Sequence, residues 1–203
     1  MSLAKKSLLV IFLILLADQI LKIWVKTHIP LGSTEKVFGN WFLLRFIENP
    51  GMAFGIDLPG RLGKPMLTLF RIIAAVFIGW YLHSLIKKNA PAGFIICLSM
   101  IFAGAVGNII DSVFYGVVFS ESNYFEASVM FPGGGGYASL LNGRVVDMLY
   151  FPLIEGNYPD WFPVLHGQKF IFFRPIFNIA DSAISVGVMA ILLFQRGYLK
   201  KLK

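Results

Sequence analysis

PAGFIICLSMIFAGAVGNIIDSVF, residues 91–114, carries no charge before Asp111 and no proline after its opening one. At about 1.5 Å per residue, a helix of this length crosses the roughly 30 Å of bilayer hydrocarbon. Ala103, Gly104 and Gly107 place small residues where a second helix can approach closely. Asn108 and Asp111 stand three apart, so on a helix they share a face. The stretch therefore reads as a membrane span that carries a polar pair near one end.

Working outward, residues 7–26, 65–86 and 176–196 have the same character, giving a polytopic α-helical membrane protein with four predicted spans in one domain, 1–203. Composition agrees, since 57% of the 203 residues are hydrophobic and only 14% are charged. A net charge of +7 does not point to nucleic acid, because the basic residues gather beside apolar segments rather than on a polar helix face. The single cysteine, Cys97, lies inside a span, which excludes an internal disulfide and reads as packing. Lys5 and Lys6 precede an apolar run that no small-x-small site closes, so the first span is expected to be a retained anchor.

Lys5, Lys6, Lys87, Lys88, Arg196, Lys200, Lys201 and Lys203 fall on one side when four helices alternate, and no acidic residue joins them. By the positive-inside rule both termini are expected in the cytoplasm, and loops 27–64 and 115–175 outside. In the first loop, KVFGNWFLLRFI (36–47) is rich in aromatic and branched residues and predicts a small sheet on the outer membrane surface. The second loop contains a flexible glycine run, 133–136, and an aromatic, proline-bearing segment, 150–173, suited to an interfacial belt.

Ionisable groups in a span cost a few kcal/mol each, about 3 on insertion scales, so each calls for a reason. Asp18 and Lys22, four apart with the acid first, predict a structural pair on the first helix, and Arg71 is placed to snorkel towards the outer surface. Asp181 follows Asn178 as Asp111 follows Asn108, and both acids fall at the same depth, Asp181 about a turn and a half into the fourth span. Asp147 is a third acid, in GRVVD (143–147), where the chain returns from the outer loop. Such a cluster fits an ion or proton path, a hydrolytic carboxylate pair, or buried structural contacts. Its position just beneath the outer surface favours hydrolysis over a transporter, which needs access from the cytoplasmic side. His28, His83 and His166 are scattered with no His-Glu-x-x-His, no serine follows Gly-x, and no aspartate follows Gly or Tyr. Zinc, serine and presenilin-like aspartyl designs are thereby disfavoured.

Taken in order, the chain resembles the lipoprotein signal peptidases, or signal peptidase II. The resemblance runs through Ala17-Asp18-Gln19 with Lys22, ENPGMAFG (48–55), GAVGNIID (104–111), RVVD (144–147) and FNIADSAI (177–184). It implies four membrane helices with a small extracytoplasmic sheet, in a bacterial inner membrane, with the active site near the outer face. It also implies an aspartic endopeptidase that cuts before the diacylglyceryl-modified cysteine of a pro-lipoprotein. By motif, Asp147 and Asp181 match the two catalytic aspartates. Asn49, Gly51, Asn108, Asp111, Arg144, Asn178 and Ala180 match supporting residues, and Asp18 with Lys22 the first-helix pair. Asp111 is then a supporting acid, expected to pair with Arg144. No cofactor, metal or nucleic acid is expected, and the chain is expected to act as a monomer among membrane lipid. One departure is an insertion, residues 117–142, between Asp111 and Asp147, far longer than is usual in the family and expected to be a tolerated surface insertion, or else a segment lying over the membrane surface or the substrate entrance.

Overall fold

The computed structural model describes residues 1–50, 63–152, 154–157, 169–172 and 175–201. Helix α1 (Leu3–His28) opens on Ser2, whose hydroxyl accepts from the Lys5 amide. Helix α2 (Gly63–Lys87) turns through Asn89, in the left-handed region at φ 50°, into α3 (Ala92–Ile110). A π-turn (Asp111–Tyr115) and one further helical turn, α4 (Gly116–Val118), extend α3. Among the described residues three helices are long and apolar enough to cross a membrane: Leu3–His28, Gly63–Lys87 and Ala92–Val118. Their outward faces carry Leu8, Phe12, Leu16, Phe70, Phe77 and Trp80, exposed as they would be to lipid.

The predicted fourth span is shorter than expected. Helix α5 runs Ile179–Phe194, 16 residues or about 24 Å. Ile176 and Phe177 do not begin it because they form a strand, and Asn178 then caps the helix. After Gln195 the chain continues as α6 (Arg196–Lys201). Leu3, Leu82, Leu85, Phe94, Ile191 and Tyr198 pack in one cluster. That cluster brings the start of α1, the end of α2, the start of α3 and the end of α5 to one end of the bundle.

At the other end sits a four-stranded antiparallel sheet in the order β1 (Thr34–Phe38), β2 (Phe42–Asn49), β3 (Val145–Tyr150), β6 (Ile176–Phe177). A separate pair joins β4 (Ile154–Asn157) to β5 (Lys169–Phe172). Register decides what lies together. Ile47 faces Asp147, Asn49 faces Val145, and Leu149 faces Phe177. The central strand β3 is therefore flanked by the strand that carries Asn49 and by the one that leads into α5.

The insertion is built into the core. Phe119 is fully buried with Val25, Phe46, Val146 and Met148, and Met130 and Tyr137 pack against them. Its backbone is bonded to the helix ends: Phe131 N–H to Val118 O at 2.7 Å, Leu141 N–H to Val113 O at 3.1 Å, and Gly143 N–H to Ser112 O at 2.9 Å. Of the glycine run, 133–135 face open space, whereas a Cβ on Gly136 would lie 2.1 Å from the Gly116 carbonyl oxygen.

The small residues of α3 meet α5. A Cβ on Gly104 would lie 2.3 Å from the Ala180 carbonyl oxygen and 2.7 Å from Ile184 Cγ1. Backbone cannot yield as a flexible side chain can, so Gly104→Ala must push the helices apart. The expected cost is about 1–3 kcal/mol, read as a lower unfolding temperature in detergent, with Gly134→Ala, which meets nothing within 4 Å, unchanged.

Candidate active site

The two segments with the spacing Asn-x-x-Asp fold differently. Asn178 is the N-cap of α5 and Asp181 its third residue, in a reciprocal capping box: Asn178 Oδ1 accepts from the Asp181 amide at 2.8 Å, and Asp181 Oδ2 from the Asn178 amide at 3.4 Å. Asp181 thus stands in the first turn, not a turn and a half inside a span, and the helix N-terminus favours its negative charge. Asn108 is helical, in α3, and its amide donates to Asp181 Oδ1 at 2.8 Å.

Asn178 also reaches β3. Its Nδ2 donates to Asp147 Oδ1 at 2.7 Å, with longer contacts to Asn108 Oδ1 at 3.2 Å and the Val146 carbonyl at 3.3 Å. Asn49, from β2, donates to the other oxygen of Asp147 at 3.3 Å. One fully buried asparagine therefore ties the two carboxylates together. Burial, and then the charge on Asp181, push the Asp147 carboxyl up to about 7 despite the two asparagine amides. Asp147 is only 6% exposed, while Asp181 is half-buried.

Beneath this pair lies a dry ionic cluster. Lys22 Nζ is 2.8 Å from Asp18 Oδ2, 2.8 Å from Asp111 Oδ2 and 2.9 Å from Asn108 Oδ1, with all three charged side chains fully buried. Gln19 donates to Asp111 Oδ1 at 3.0 Å and to Asp18 Oδ2 at 3.1 Å, and accepts from the Tyr115 hydroxyl. The carboxylates also bind backbone, Asp18 through its remaining oxygen and Asp111 through the oxygen it shares with Lys22. Asp18 Oδ1 takes the Ala180 amide at 2.9 Å, and Asp111 Oδ2 the Val146 amide at 3.3 Å. The cluster thereby grips the residues that precede each of Asp181 and Asp147.

Asp111 does not pair with Arg144, as the sequence had suggested. It faces α1, where Lys22 and Gln19 already saturate it, whereas Arg144 turns to Glu48 at 2.8 Å and Glu121 at 2.5 Å. Glu48 also pairs with Lys26 and accepts from Ser122 at 2.7 Å. Burial alone would raise the Glu48 carboxyl, but Lys26, Arg144 and Ser122 hold it below the usual glutamate value. Lys26 is fully buried, within 5.7 Å of the ring centres of Phe46, Phe119 and Tyr137. Sequence reasoning passed over Lys26, and took Gln19 and Glu48 only as parts of motifs, without a role. Lys26 stands one turn beyond Lys22 on the same face, and that spacing was the available signal.

Arg71, expected to snorkel, instead lines a cavity of about 270 Å³ between α2, α3 and α5 together with Asn108 and Asp181. Its charge acts on both Asp181 and Asp147. The other walls are apolar, among them Phe70, Ala75 and Ile184. Gly51 and the stretch 158–168 of the aromatic segment lie outside the described residues.

Two carboxylates bridged by one asparagine in a partly dry pocket, one of them with its proton affinity raised, have what is needed to activate water and polarise a carbonyl. A family model described as Signal peptidase (SPase) II matches residues 10–196. The lipoprotein signal peptidase of Porphyromonas gingivalis is 51% identical over 184 residues, spanning 90% of this chain and 79% of that one. The one from Amoebophilus asiaticus is 38% identical over 187 residues, with 91% and 75% covered. Two solved bacterial membrane enzymes share the fold. One has a TM-score of 0.62 at 23% identity over 98% of this chain and 92% of its own; the other has 0.58 at 25%, over 93% and 91%.

Proposed function

The chain belongs to the signal peptidase II family, and from that premise we propose that it removes the signal peptides of pro-lipoproteins by aspartyl chemistry, with Asp147 and Asp181 as the catalytic pair. Family membership makes it a membrane peptidase acting on pro-lipoproteins and does not favour a transporter. The observation that carries the aspartyl reading is Asn178, which bonds the Asp147 carboxylate while its own capping box holds Asp181.

At rest the shared proton lies on Asp147, which is the more buried, and the charge on Asp181, at a helix N-terminus and within reach of Arg71. Asp181 takes a proton from water, whose oxygen attacks the scissile carbonyl carbon while Asp147 gives its proton to the carbonyl oxygen. On collapse the proton held by Asp181 passes to the departing amine, and Asp147 recovers its own from the hydroxyl. Asn49, Asn108 and Asn178 orient the carboxylates, and the Lys22 cluster holds their backbones. The cut falls before the diacylglyceryl-modified cysteine. The substrate enters sideways, its acyl chains in lipid, a route supported by the cavity between α2, α3 and α5. Grouping of Lys5, Lys6, Lys87, Lys88 and Arg196 at the end opposite the sheet supports cytoplasmic termini, an inner-membrane location and a site at the outer face. The chain supplies every group in this scheme and acts as a monomer.

Purified protein in detergent, given a lipidated pro-lipoprotein, should release the signal peptide, seen as a mass loss; an unchanged substrate would overturn the reading. Cleavage should fall as pH rises through about 7, because Asp147 then loses the proton it must donate. Arg71→Met, by removing a positive charge that favours the ionised pair, should move the whole profile up by about one pH unit, and Arg71→Lys should restore it. An unmoved profile would show that Arg71 does not bias the pair.

A further inference from the structure

The tip of the insertion presents aromatic rings that are largely uncovered among the described residues. Phe125 is 89% exposed and Tyr124 72%. They are not displayed by a loose loop. Asn123 Oδ1 accepts from the amides of Phe125 and Glu126, both at 2.8 Å, which closes a rigid turn with Phe125 at its apex.

The turn is fastened to the outer end of a membrane helix. The Leu31 amide donates to the Asn123 carbonyl at 2.9 Å, and the Ser128 amide to the Lys26 carbonyl at 3.0 Å. Gly32, at φ 78°, admits the Tyr124 ring, which would lie 3.2 Å from a Cβ there. Just inside this attachment, α1 carries Trp24, 43% exposed and stacked on His28 with ring centres 5.3 Å apart. A tryptophan and a histidine on the lipid-facing flank of a span mark the boundary between acyl chains and headgroups. From Trp24 to His28 is one helical turn, roughly 6 Å. The headgroup layer of one leaflet is of similar depth, roughly 5–8 Å.

From this placement we propose that the insertion tip is a membrane-interface anchor: Tyr124 and Phe125 dip into the headgroup and upper acyl region of the leaflet at the sheet end of the molecule. A phospholipid surface fits better than a protein partner because the rings stand at the height of the interface beside α1. The charge nearby is acidic: Glu126 adjoins Phe125, while Glu121 is spent on Arg144. Attachment is therefore by apolar insertion and should be insensitive to salt. The inference needs only that α1 spans the membrane and does not depend on the peptidase chemistry.

The full chain with Cys97→Ala and Phe125→Cys, labelled at position 125 with an environment-sensitive fluorophore, would be placed in phosphatidylcholine vesicles. A quencher carried on the upper acyl chain should reduce emission about twofold or more, and one at the chain terminus much less. The result should be the same when anionic lipid is added or salt is raised. Equal, weak quenching by both would leave the tip in water and overturn the proposal. So would a signal that disappears on dilution of protein at constant lipid, which would show a second copy covering the rings. Retained cleavage by the labelled enzyme would keep either failure separate from the assignment of the aspartates.

Discussion

Asp147→Asn and Asp181→Asn are each expected to lower cleavage of a lipidated pro-lipoprotein by about 10³-fold or more, since each removes one half of the proton traffic. The change is nearly isosteric, but it is not silent in the fold. Asp147 accepts from Asn49 on one oxygen and Asn178 on the other, so an asparagine there must turn its amide towards another amide. Asp181→Asn loses one arm of the capping box, a loss of about 1 kcal/mol. Thermal unfolding in detergent should therefore shift only modestly while turnover disappears. Near-normal turnover by either variant would remove that residue from the chemistry. Combining the two should cost little more than either alone, because the pair acts as a unit.

Lys22→Met should have the largest effect on stability. Lys22 is the only cation in contact with Asp18 and Asp111 among the described residues, and none of the three side chains meets solvent. Removing it leaves two buried carboxylates with no cation, held only by the shared amide of Gln19 and one backbone amide each, at an expected cost of about 3–5 kcal/mol. Asn108 also loses the shorter of the two donors at its Oδ1, keeping Asn178, so Asp181 is less well held and activity should fall with stability. Lys22→Arg is not expected to rescue, because a planar guanidinium does not fit three acceptors converging on one ammonium. Neutralising the acids as well, in Lys22→Met/Asp18→Asn/Asp111→Asn, should recover much of the unfolding temperature, since the cost comes from uncompensated charge. If the triple variant is no more stable than Lys22→Met, the cluster contributes through shape and hydrogen bonds instead.

Much of the membrane frame was legible in the residues. Three of the four predicted spans are helices long and apolar enough to cross, and the small sheet falls where the run 36–47 had suggested it. The helix ends were less legible. Ile176 and Phe177 are as apolar as the span they adjoin, so hydropathy counts them as helix; only pairing with β3 makes them strand. The base of the insertion was misread for a related reason. Gly133, Gly134 and Gly135 do face open space, yet Phe119 lies in the core and Met130 and Tyr137 pack against it. Burial of such scattered residues depends on partners far away in the chain.

By itself the sequence determined the medium and the inventory. Long uncharged runs can rest only in lipid, basic residues grouped beside them give an expected orientation, and the few acids left inside had to serve a purpose. Motif resemblance then singled out Asp147 and Asp181. What only the tertiary structure decided was which polar group meets which. Asn108-x-x-Asp111 and Asn178-x-x-Asp181 are alike in spacing, yet one Asp is neutralised by Lys22 in a dry helix packing, and the other stands at a capped helix N-terminus beside Asp147. Spacing along the chain sets which face a side chain occupies. Its partner and its proton depend on the neighbouring helix or strand, and those lie up to 162 residues away, as between Asp18 and Ala180.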